Sequence, residues 1–307
     1  MRSNTNEEQL AAIKLHADKH EVIQIDGFST VEEYVLHLMH KSDYQVAASL
    51  ANEQSVLDLG CNAGHGTHII SKVCKDITGV DVSPNAIEAA KEKYESQNVK
   101  FFVVDGLKLP FPAHSFDLVT SFQVIEHLAA YEIYFNEIKR VLRPEGILLI
   151  TTPNAAIRIH PGQKPWNSFH MREFRSNELA DLILRYFPFV HVLGQFAVEK
   201  TYAVEYNRCI NARGSIPTQQ SLGKKILRSL PQPIIDGFRG LRNQLNTKKI
   251  KVPPKNFMTM HGVEDFYYKS NDLDSSLSLV VCCSMDEITF NDATAVFLGD
   301  RQLGPDQ

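Results

Sequence analysis

The sequence predicts an α/β fold built on a mostly parallel sheet. From Ser55 onward, short apolar runs alternate with amphipathic stretches, which is the pattern of repeated βαβ units. A segment with three glycines follows the first apolar run, at the place where open α/β sheets bind ligands. The 307 residues, 43% hydrophobic and 22% charged, are enough to bury a sizeable core. These observations favour one large domain over two independent ones.

The elements can be assigned in chain order. Residues 1–50 are predicted to be a helical lead-in, with Tyr34, Leu38 and Met39 on one helix face. Five strands follow in the first part of the predicted core, which comprises residues 51–200 and 263–287. These strands are Ser55–Leu59, Ile77–Asp81, Val99–Val104, Phe116–Ser121 and Gly146–Thr152.

Capping signals place two of the helices between and after these strands. Pro84–Ser96 has Ser83 as its N-cap and a proline at its first position. Ser176 is predicted to cap Asn177–Tyr186, whose early glutamate and late arginine complement the helix dipole.

Two further strands are predicted to be neighbours in the sheet, Phe189–Phe196 and Ser276–Met285. Residues 201–262 separate them and are interpreted as an inserted basic cap. This insertion contains eleven Lys and Arg but two acids, so it carries +9 while the whole chain carries −4. Residues 288–307 form a tail without a strong pattern.

Composition also limits the cellular setting. Five cysteines, an odd number, and the lack of an apolar leader at Met1 argue against a secreted disulfide framework and favour the cytoplasm. No apolar run reaches the roughly 18 residues of a membrane span, which leaves attachment to a membrane surface open. The sequence gives no indication of oligomeric state.

The glycine segment, Val56–Thr67, is not a dinucleotide fingerprint, because neither Gly60 nor Gly64 begins a G-x-G-x-x-G match. Acids stand instead at three successive predicted strand ends, Asp58, Asp81 and Asp105, 23 and 24 residues apart. A carboxylate at the first strand can bind an ammonium, one at the second a ribose diol, and one at the third an adenine amine. Together these groups describe S-adenosylmethionine, although each acid taken alone could be a solvated loop residue.

Residues 55–152 resemble the class I S-adenosylmethionine-dependent methyltransferases. VLDLGCNAG resembles their glycine motif, TGVDVSPNAIEAAKEK their ribose-binding block, VVDGLKLPFPAHSFDLV the adenine-side block and VLRPEGILLITTPN the fifth-strand block. The resemblance is to small-molecule and glycan O-methyltransferases of the ubiquinone-biosynthesis type. It implies a Rossmann-like, doubly wound sheet of seven strands, with the last strand antiparallel between the fifth and sixth. The cofactor contacts expected on this basis are Asp58, Gly60, Asn62, Gly64, Asp81, Val82, Asp105, Gly106 and Gln123.

The fourth strand ends in Glu126 and His127, which predicts a catalytic position at the carboxyl edge of the sheet. His127 is a candidate general base, because its ordinary pKa lies near neutral pH, but it could equally pack against the next helix. His170 is a second candidate base, in a stretch that resembles acceptor-covering loops. Trp166 and Phe169 are expected to wall the acceptor pocket, and Arg172 to contribute to it or to anchor the loop with Glu173.

The run from Gln123 to His127 is similar to the metal-binding Glu-x-x-Glu-His run of some ubiquinone-pathway and small-RNA 2′-O-methyltransferases. Here an amide, Gln123, stands where those enzymes have a carboxylate. Because an amide supplies no charge, the metal site is weakened, and we predict methyl transfer without a bound metal.

The sequence therefore predicts methyl transfer to a hydroxyl of a sugar, a glycan or a lipid-like small molecule. The alternatives are an RNA 2′-O-methyltransferase with a divalent metal and a methyltransferase-like scaffold without turnover. The 201–262 insertion is a solvated cap, an anionic-membrane contact through the amphipathic Pro233–Leu245, or a nucleic-acid contact. The nucleic-acid interpretation is the least favoured, because the segment has no aromatic ladder for base stacking.

Overall fold

The computed structural model describes residues 27–215 and 255–287. Eight strands form one sheet in these residues. In chain order they are β1 (Ser55–Leu59), β2 (Asp76–Asp81), β3 (Val99–Val103), β4 (Phe116–Phe122), β5 (Leu142–Pro153), β6 (Phe189–Ala197), β7 (Phe266–Lys269) and β8 (Ser278–Ser284).

The strand order confirms the predicted topology and adds one strand to it. Across the sheet the order is β3-β2-β1-β4-β5-β8-β6-β7. β8 runs antiparallel to both neighbours and lies between β5 and β6, where the last strand was expected. The prediction of seven strands is wrong by one, because the four-residue β7 pairs antiparallel with β6 at the sheet edge. A strand this short gives no usable alternation of polar and apolar residues.

Eight helices accompany these strands in the described residues. They are α1 (Val31–Leu50), α2 (His65–Ile70), α3 (Pro84–Tyr94), α4 (Tyr131–Val141), α5 (Ala155–Arg158), α6 (Ser176–Ile183), α7 (Glu199–Ser215) and α8 (Lys255–Met260).

The predicted caps agree with the structure in one helix and differ in the other. The Ser83 hydroxyl accepts a hydrogen bond from the Ala86 amide at 3.4 Å, so it caps α3 as expected. In α6, Ser176 is the first helical residue and Arg175 is the N-cap. The Glu178 carboxylate accepts a hydrogen bond from the Arg175 backbone amide at 3.2 Å. The glutamate three residues after the N-cap therefore satisfies the N-cap amide, and no serine cap is required.

Apolar side chains fill both faces of the sheet, as a doubly wound fold requires. One face packs against α4 and α6, with Phe135, Ile138 and Leu179 fully buried. The other face packs against α1, α2 and α3, through residues such as Ala47, Ile70 and Ile87. A third cluster joins α1, α5 and α7, and in it Leu38 and Met39 are buried on the helix face that the sequence predicted.

A buried polar network attaches α1 to the sheet. The Asp43 carboxylate accepts hydrogen bonds from the Tyr268 hydroxyl and from the Gln195 amide, each at 2.8 Å. Gln195 also donates to the Ser42 hydroxyl at 2.8 Å. Because β6, β7 and α1 all contribute to this network, the lead-in helix is an integral part of the domain.

The other predictions for the termini and the insertion fall on residues 1–26, 216–254 and 288–307, which lie outside the described residues. Among the helices of residues 27–215 and 255–287, none is both long and apolar enough to cross a bilayer. The insertion is described at its two ends, where α7 leaves the sheet and α8 returns toward β7.

We predict that Asp43→Asn stabilises the protein at alkaline pH. Burial raises the pKa of Asp43 to about 8, whereas the unfolded chain ionises it near its ordinary pKa of 3.8. Wild-type stability therefore falls as pH rises from 4 to 8, because folding must keep this carboxyl neutral. An asparagine keeps the acceptor oxygen and cannot ionise. The melting-temperature difference, variant minus wild type, should grow by several degrees between pH 4 and pH 8.

The exposed Asp274 provides the control, since Asp274→Asn leaves the side chain in water in both states. A melting-temperature difference that is the same at pH 4 and pH 8 would show that Asp43 is charged in the folded protein.

Candidate active site

A cavity of about 550 Å³ opens at the carboxyl ends of β1, β4 and β5. Its floor is the glycine loop from Gly60 to Ala63 together with the tip of β4, and its walls are α1 and the 159–175 segment. The cavity lies at the edge of the sheet where ligands of open α/β sheets bind.

The glycine loop approaches neighbouring side chains too closely for any residue with a Cβ atom. Gly60 has φ +86°, and a Cβ built there would lie 2.4 Å from Val124 Cγ2. Gly64 has φ +76° and would place a Cβ 2.8 Å from the Phe101 ring. Asn62 has φ +47°, a conformation that asparagine often adopts. Its backbone N–H donates a hydrogen bond to the Asp81 carboxylate at 2.9 Å. Packing against Val124 and Phe101 therefore requires glycine at positions 60 and 64.

Asp58 lies beneath this loop and is completely buried. Three hydroxyls donate to its carboxylate: Thr67 at 2.6 Å, Thr120 at 2.9 Å and Tyr44 at 3.3 Å. Burial raises the pKa of Asp58 to about 6, and these hydrogen bonds partly oppose the shift. Its closest link to the cavity is Tyr44, which lines the α1 wall.

The predicted adenosine contacts lie together at the ends of β2 and β3, outside the cavity lining. The Asp81 carboxylate accepts from the amides of Asn62 and Ser83, both at 2.9 Å, and the neighbouring Val82 is half-buried. Asp105 is exposed and one of its oxygens accepts from the amides of the next turn, with Gly106 at φ +73°. The ribose and adenine acids thus occupy one side of the glycine loop and the cavity the other.

Glu126 and His127 lie in a 3₁₀ turn, Ile125–His127, directly after β4. The Glu126 side chain accepts from the Thr152 hydroxyl at 2.9 Å through one oxygen. The other carboxylate oxygen is buried and has no hydrogen-bond partner in the structure. Burial raises the pKa of Glu126 to about 7, so this group changes charge near neutral pH.

The structure brings His127 and His170 together, with ring centroids 4.8 Å apart and the rings nearly perpendicular. His127 donates from Nδ1 to the Phe169 carbonyl at 2.9 Å, because a carbonyl can only accept. The His170 Nδ1 contacts the Glu173 carboxylate at 2.7 Å, which directs its Nε2 away from Glu173. Both imidazoles are therefore fixed in orientation by groups behind them.

Glu173 supports His170 from a fully enclosed position. Its carboxylate forms an ion pair with Arg158 at 3.0 Å, and both side chains are at most 5% exposed. Burial alone would raise the pKa of Glu173, but the hydrogen bonds from His170 and Arg158 outweigh it and hold the pKa below its ordinary value. The expectation that Glu173 anchors its loop is consistent with this geometry, although its partner is Arg158.

The remaining predicted residues divide between the cavity and the surface. Trp166, Phe169 and Gln123 line the cavity, and Gln123 is held by hydrogen bonds to Thr151, with φ +58°. Arg172 lies outside the lining, 49% exposed, and pairs with Glu178 at 3.5 Å. The sequence analysis missed the α1 wall, where His37, His40, Lys41 and Tyr44 line the cavity. Their spacing along one helix face was the available signal.

Glu126, His127 and His170 could also hold a metal ion, since one ligand atom from each lies within 4.8 Å of the others. Two imidazoles and a carboxylate are a usual ligand set for a transition metal, and the groups behind the histidines resemble the supports of such sites. The arrangement can therefore remove a proton directly or bind a cation that does so.

Part of the chain is similar in sequence to known methyltransferases. Residues 57–150 match the protein family described as "Methyltransferase domain". A Mycobacterium tuberculosis protein named "probable S-adenosylmethionine-dependent methyltransferase" is 36% identical over 146 residues, which cover 47% of this chain and 52% of the relative. A demethylmenaquinone methyltransferase from Staphylococcus aureus is 28% identical over 151 residues, covering 48% of this chain and 61% of the relative. The chain thus spans about half the length of the curated relatives it matches.

The fold also has neighbours among solved structures. A SAM-dependent methyltransferase from Thermotoga maritima aligns over 82% of this chain and 92% of its own, with 15% identity and a TM-score of 0.49.

We predict that Glu173→Gln destabilises the protein by about 3–5 kcal/mol, the usual cost of leaving one partner of a buried ion pair uncompensated. Arg172→Met is the matched control, because its half-exposed pair should contribute less than about 1 kcal/mol. Urea unfolding of both variants measures the difference. Equal, small effects would mean that the Arg158 charge is stabilised by something other than Glu173.

Proposed function

We propose that this chain, whose residues 57–150 match the methyltransferase domain family, transfers a methyl group from S-adenosylmethionine to a hydroxyl. The acceptor we propose is a sugar, a glycan or a lipid-like small molecule. The observation that carries the proposal is the junction of the glycine loop with Glu126, His127 and His170 in one cavity. S-adenosylmethionine, the cofactor that the sequence predicts, is also named in the description of the Mycobacterium relative.

The residues present fit this donor. Gly60 lines the cavity without a side chain, so a ligand can approach its backbone closely, whereas the absence of a side chain at Gly64 makes room for Phe101. Asp81 ends β2 with a carboxylate that can accept from both ribose hydroxyls, and the exposed Asp105 can accept from the adenine amine. When bound, S-adenosylmethionine supplies the methyl group together with its own leaving group.

The acceptor hydroxyl must lose a proton as the methyl group arrives. His170 and His127 each have Nδ1 tied to an acceptor, so Nε2 is the nitrogen through which either ring can take a proton. A base of this kind contributes about 10²- to 10⁴-fold to the rate, and orientation of the hydroxyl supplies the larger share. The buried Glu126 beside them can stabilise the positive charge that develops on an imidazole.

The aromatic side chains of the cavity wall and the name of one relative support these acceptor classes. Trp166 and Phe169 give the cavity aromatic surface, which suits a sugar ring or an apolar chain. A quinone-type acceptor is named in the Staphylococcus relative. Contact of residues 201–262 with an anionic membrane surface would bring the protein to a lipid-like acceptor. The basis of this proposal is the amphipathic sequence of residues 233–245.

We predict that wild-type protein binds S-adenosylmethionine in calorimetry and that Asp81→Ala abolishes most of this binding. Loss of the carboxylate removes the ribose acceptor and also the partner of the Asn62 amide. Asp76→Ala, at the opposite end of β2, is the control and should bind as wild type does. Equal binding by wild type and Asp81→Ala would refute the assigned ribose site.

We predict that methyl transfer proceeds without a metal and requires His170. Extract incubated with enzyme and unlabelled S-adenosylmethionine should yield a product heavier by about 14 mass units, identified by mass spectrometry. With that acceptor, exhaustive chelation should leave turnover unchanged, whereas His170→Ala should lower kcat about 10²- to 10⁴-fold with donor binding intact. Activity that is lost on chelation and restored by Mg²⁺ or Zn²⁺ would instead assign Glu126, His127 and His170 to a cation.

A further inference from the structure

Helix α1 covers the glycine loop and closes one wall of the cavity. The Tyr44 ring occupies the space beside Gly66, where a Cβ would lie 2.0 Å from its atoms. The Tyr44 hydroxyl donates to Asp58 at 3.3 Å, and the His37 ring lies 5.3 Å from the His65 ring at the start of α2. Helix α1 therefore contacts the glycine loop and the start of α2 at two positions, Tyr44 and His37.

Among the described residues, three Lys and Arg side chains line the cavity, and two of them are paired with carboxylates. Arg158 is paired with Glu173 at 3.0 Å. Arg208 holds Glu205 through two hydrogen bonds of 2.6 Å each. Lys41, on α1, forms no ion pair with any carboxylate within residues 27–215 and 255–287. Its charge is thus available to an anion in the cavity.

His65 adds polar atoms without partners to the same wall. Both of its ring nitrogens are buried and lack a hydrogen-bond partner in the structure, although the residue lines the cavity. Burial is the main cause that lowers the pKa of His65 to about 4, and the charges of His37 and Lys41 add to it. Lys41 and His65 both line the cavity, on helices α1 and α2, which pack against each other.

The orientation of the donor decides which anion comes here. The ribose and adenine acids lie at β2 and β3, on the far side of the glycine loop from the cavity. A donor bound with its adenosine on those strands directs its amino-acid end over Gly60 toward α1. That end carries a carboxylate, whose charge is opposite to that of the unpaired Lys41 on this wall.

We propose that Lys41 binds the carboxylate of the donor's amino-acid end, with His65 donating a second hydrogen bond to it. This assignment rests on the proposed function and extends it, because it makes α1 a part of the donor site. It also accounts for the unpaired lysine and for one of the two unsatisfied His65 nitrogens with a single ligand group. Charge-assisted hydrogen bonds of this kind each change affinity about 10- to 100-fold.

The test compares two ligands by calorimetry. S-adenosylhomocysteine carries the carboxylate, whereas its decarboxylated analogue keeps the adenosine, the sulfur and the ammonium. Lys41→Met should weaken S-adenosylhomocysteine binding about 10- to 100-fold and leave the analogue within twofold of wild type. Lys41→Arg should retain the preference for the carboxylate, and the exposed Lys72, changed to Met, is the control for loss of one positive charge nearby.

The possible failures are distinct. If wild type binds neither ligand, the proposed function fails and the assignment of Lys41 fails with it. If wild type binds S-adenosylhomocysteine and Lys41→Met binds it equally well, the donor site stands and the assignment alone is wrong. Equal weakening of both ligands by Lys41→Met would likewise overturn it, because the carboxylate would then play no part.

Discussion

The geometry of the site depends on how Glu126 connects three parts of the chain. Its carboxylate accepts from Thr152 at the end of β5, while its backbone carbonyl accepts from the amides of Met171 and Arg172 at 2.8 and 3.2 Å. The segment that carries His170 is thereby fixed to the tip of β4. Without these bonds the two histidines would belong to separate loops, 43 residues apart in sequence. One buried residue therefore sets the distance between the candidate bases, and its second oxygen has no hydrogen-bond partner in the structure.

The sequence predicted most of the sheet because local patterns determine parallel strands. Apolar runs bounded by glycine and acidic residues located β1 through β4 within two residues, and the order of β5, β8 and β6 followed from the resemblance. The short β7 could not be predicted, since its four residues are specified by pairing with β6 and by the Tyr268 contact with Asp43. That contact joins residues 225 positions apart, and no local pattern encodes it.

The candidate site divides in a similar way. Motifs and spacing located the glycine loop, the strand-end acids and His127, because each stands at a strand end that the fold places on one edge. His170 lies in a loop and was predicted from the resemblance of that loop to acceptor-covering loops. Their partners were not predictable: Arg158 behind Glu173 and Tyr44 above Asp58 depend on packing between distant elements. For the same reason Asp58, expected as a direct ammonium contact, is enclosed by three hydroxyls.

Helix α1 shows why stability and ligand binding are connected in this protein. His37, Lys41 and Tyr44 follow one another at spacings of four and three residues, so they share the face that lines the cavity. Asp43 and Met39 lie on other faces, where they attach the helix to the sheet and to α7. A ligand in the cavity therefore contacts one face of α1, while contacts of the other faces with the sheet and α7 determine the position of the helix. Because such a ligand binds only when α1 is docked, its binding energy adds to the stability of the folded domain.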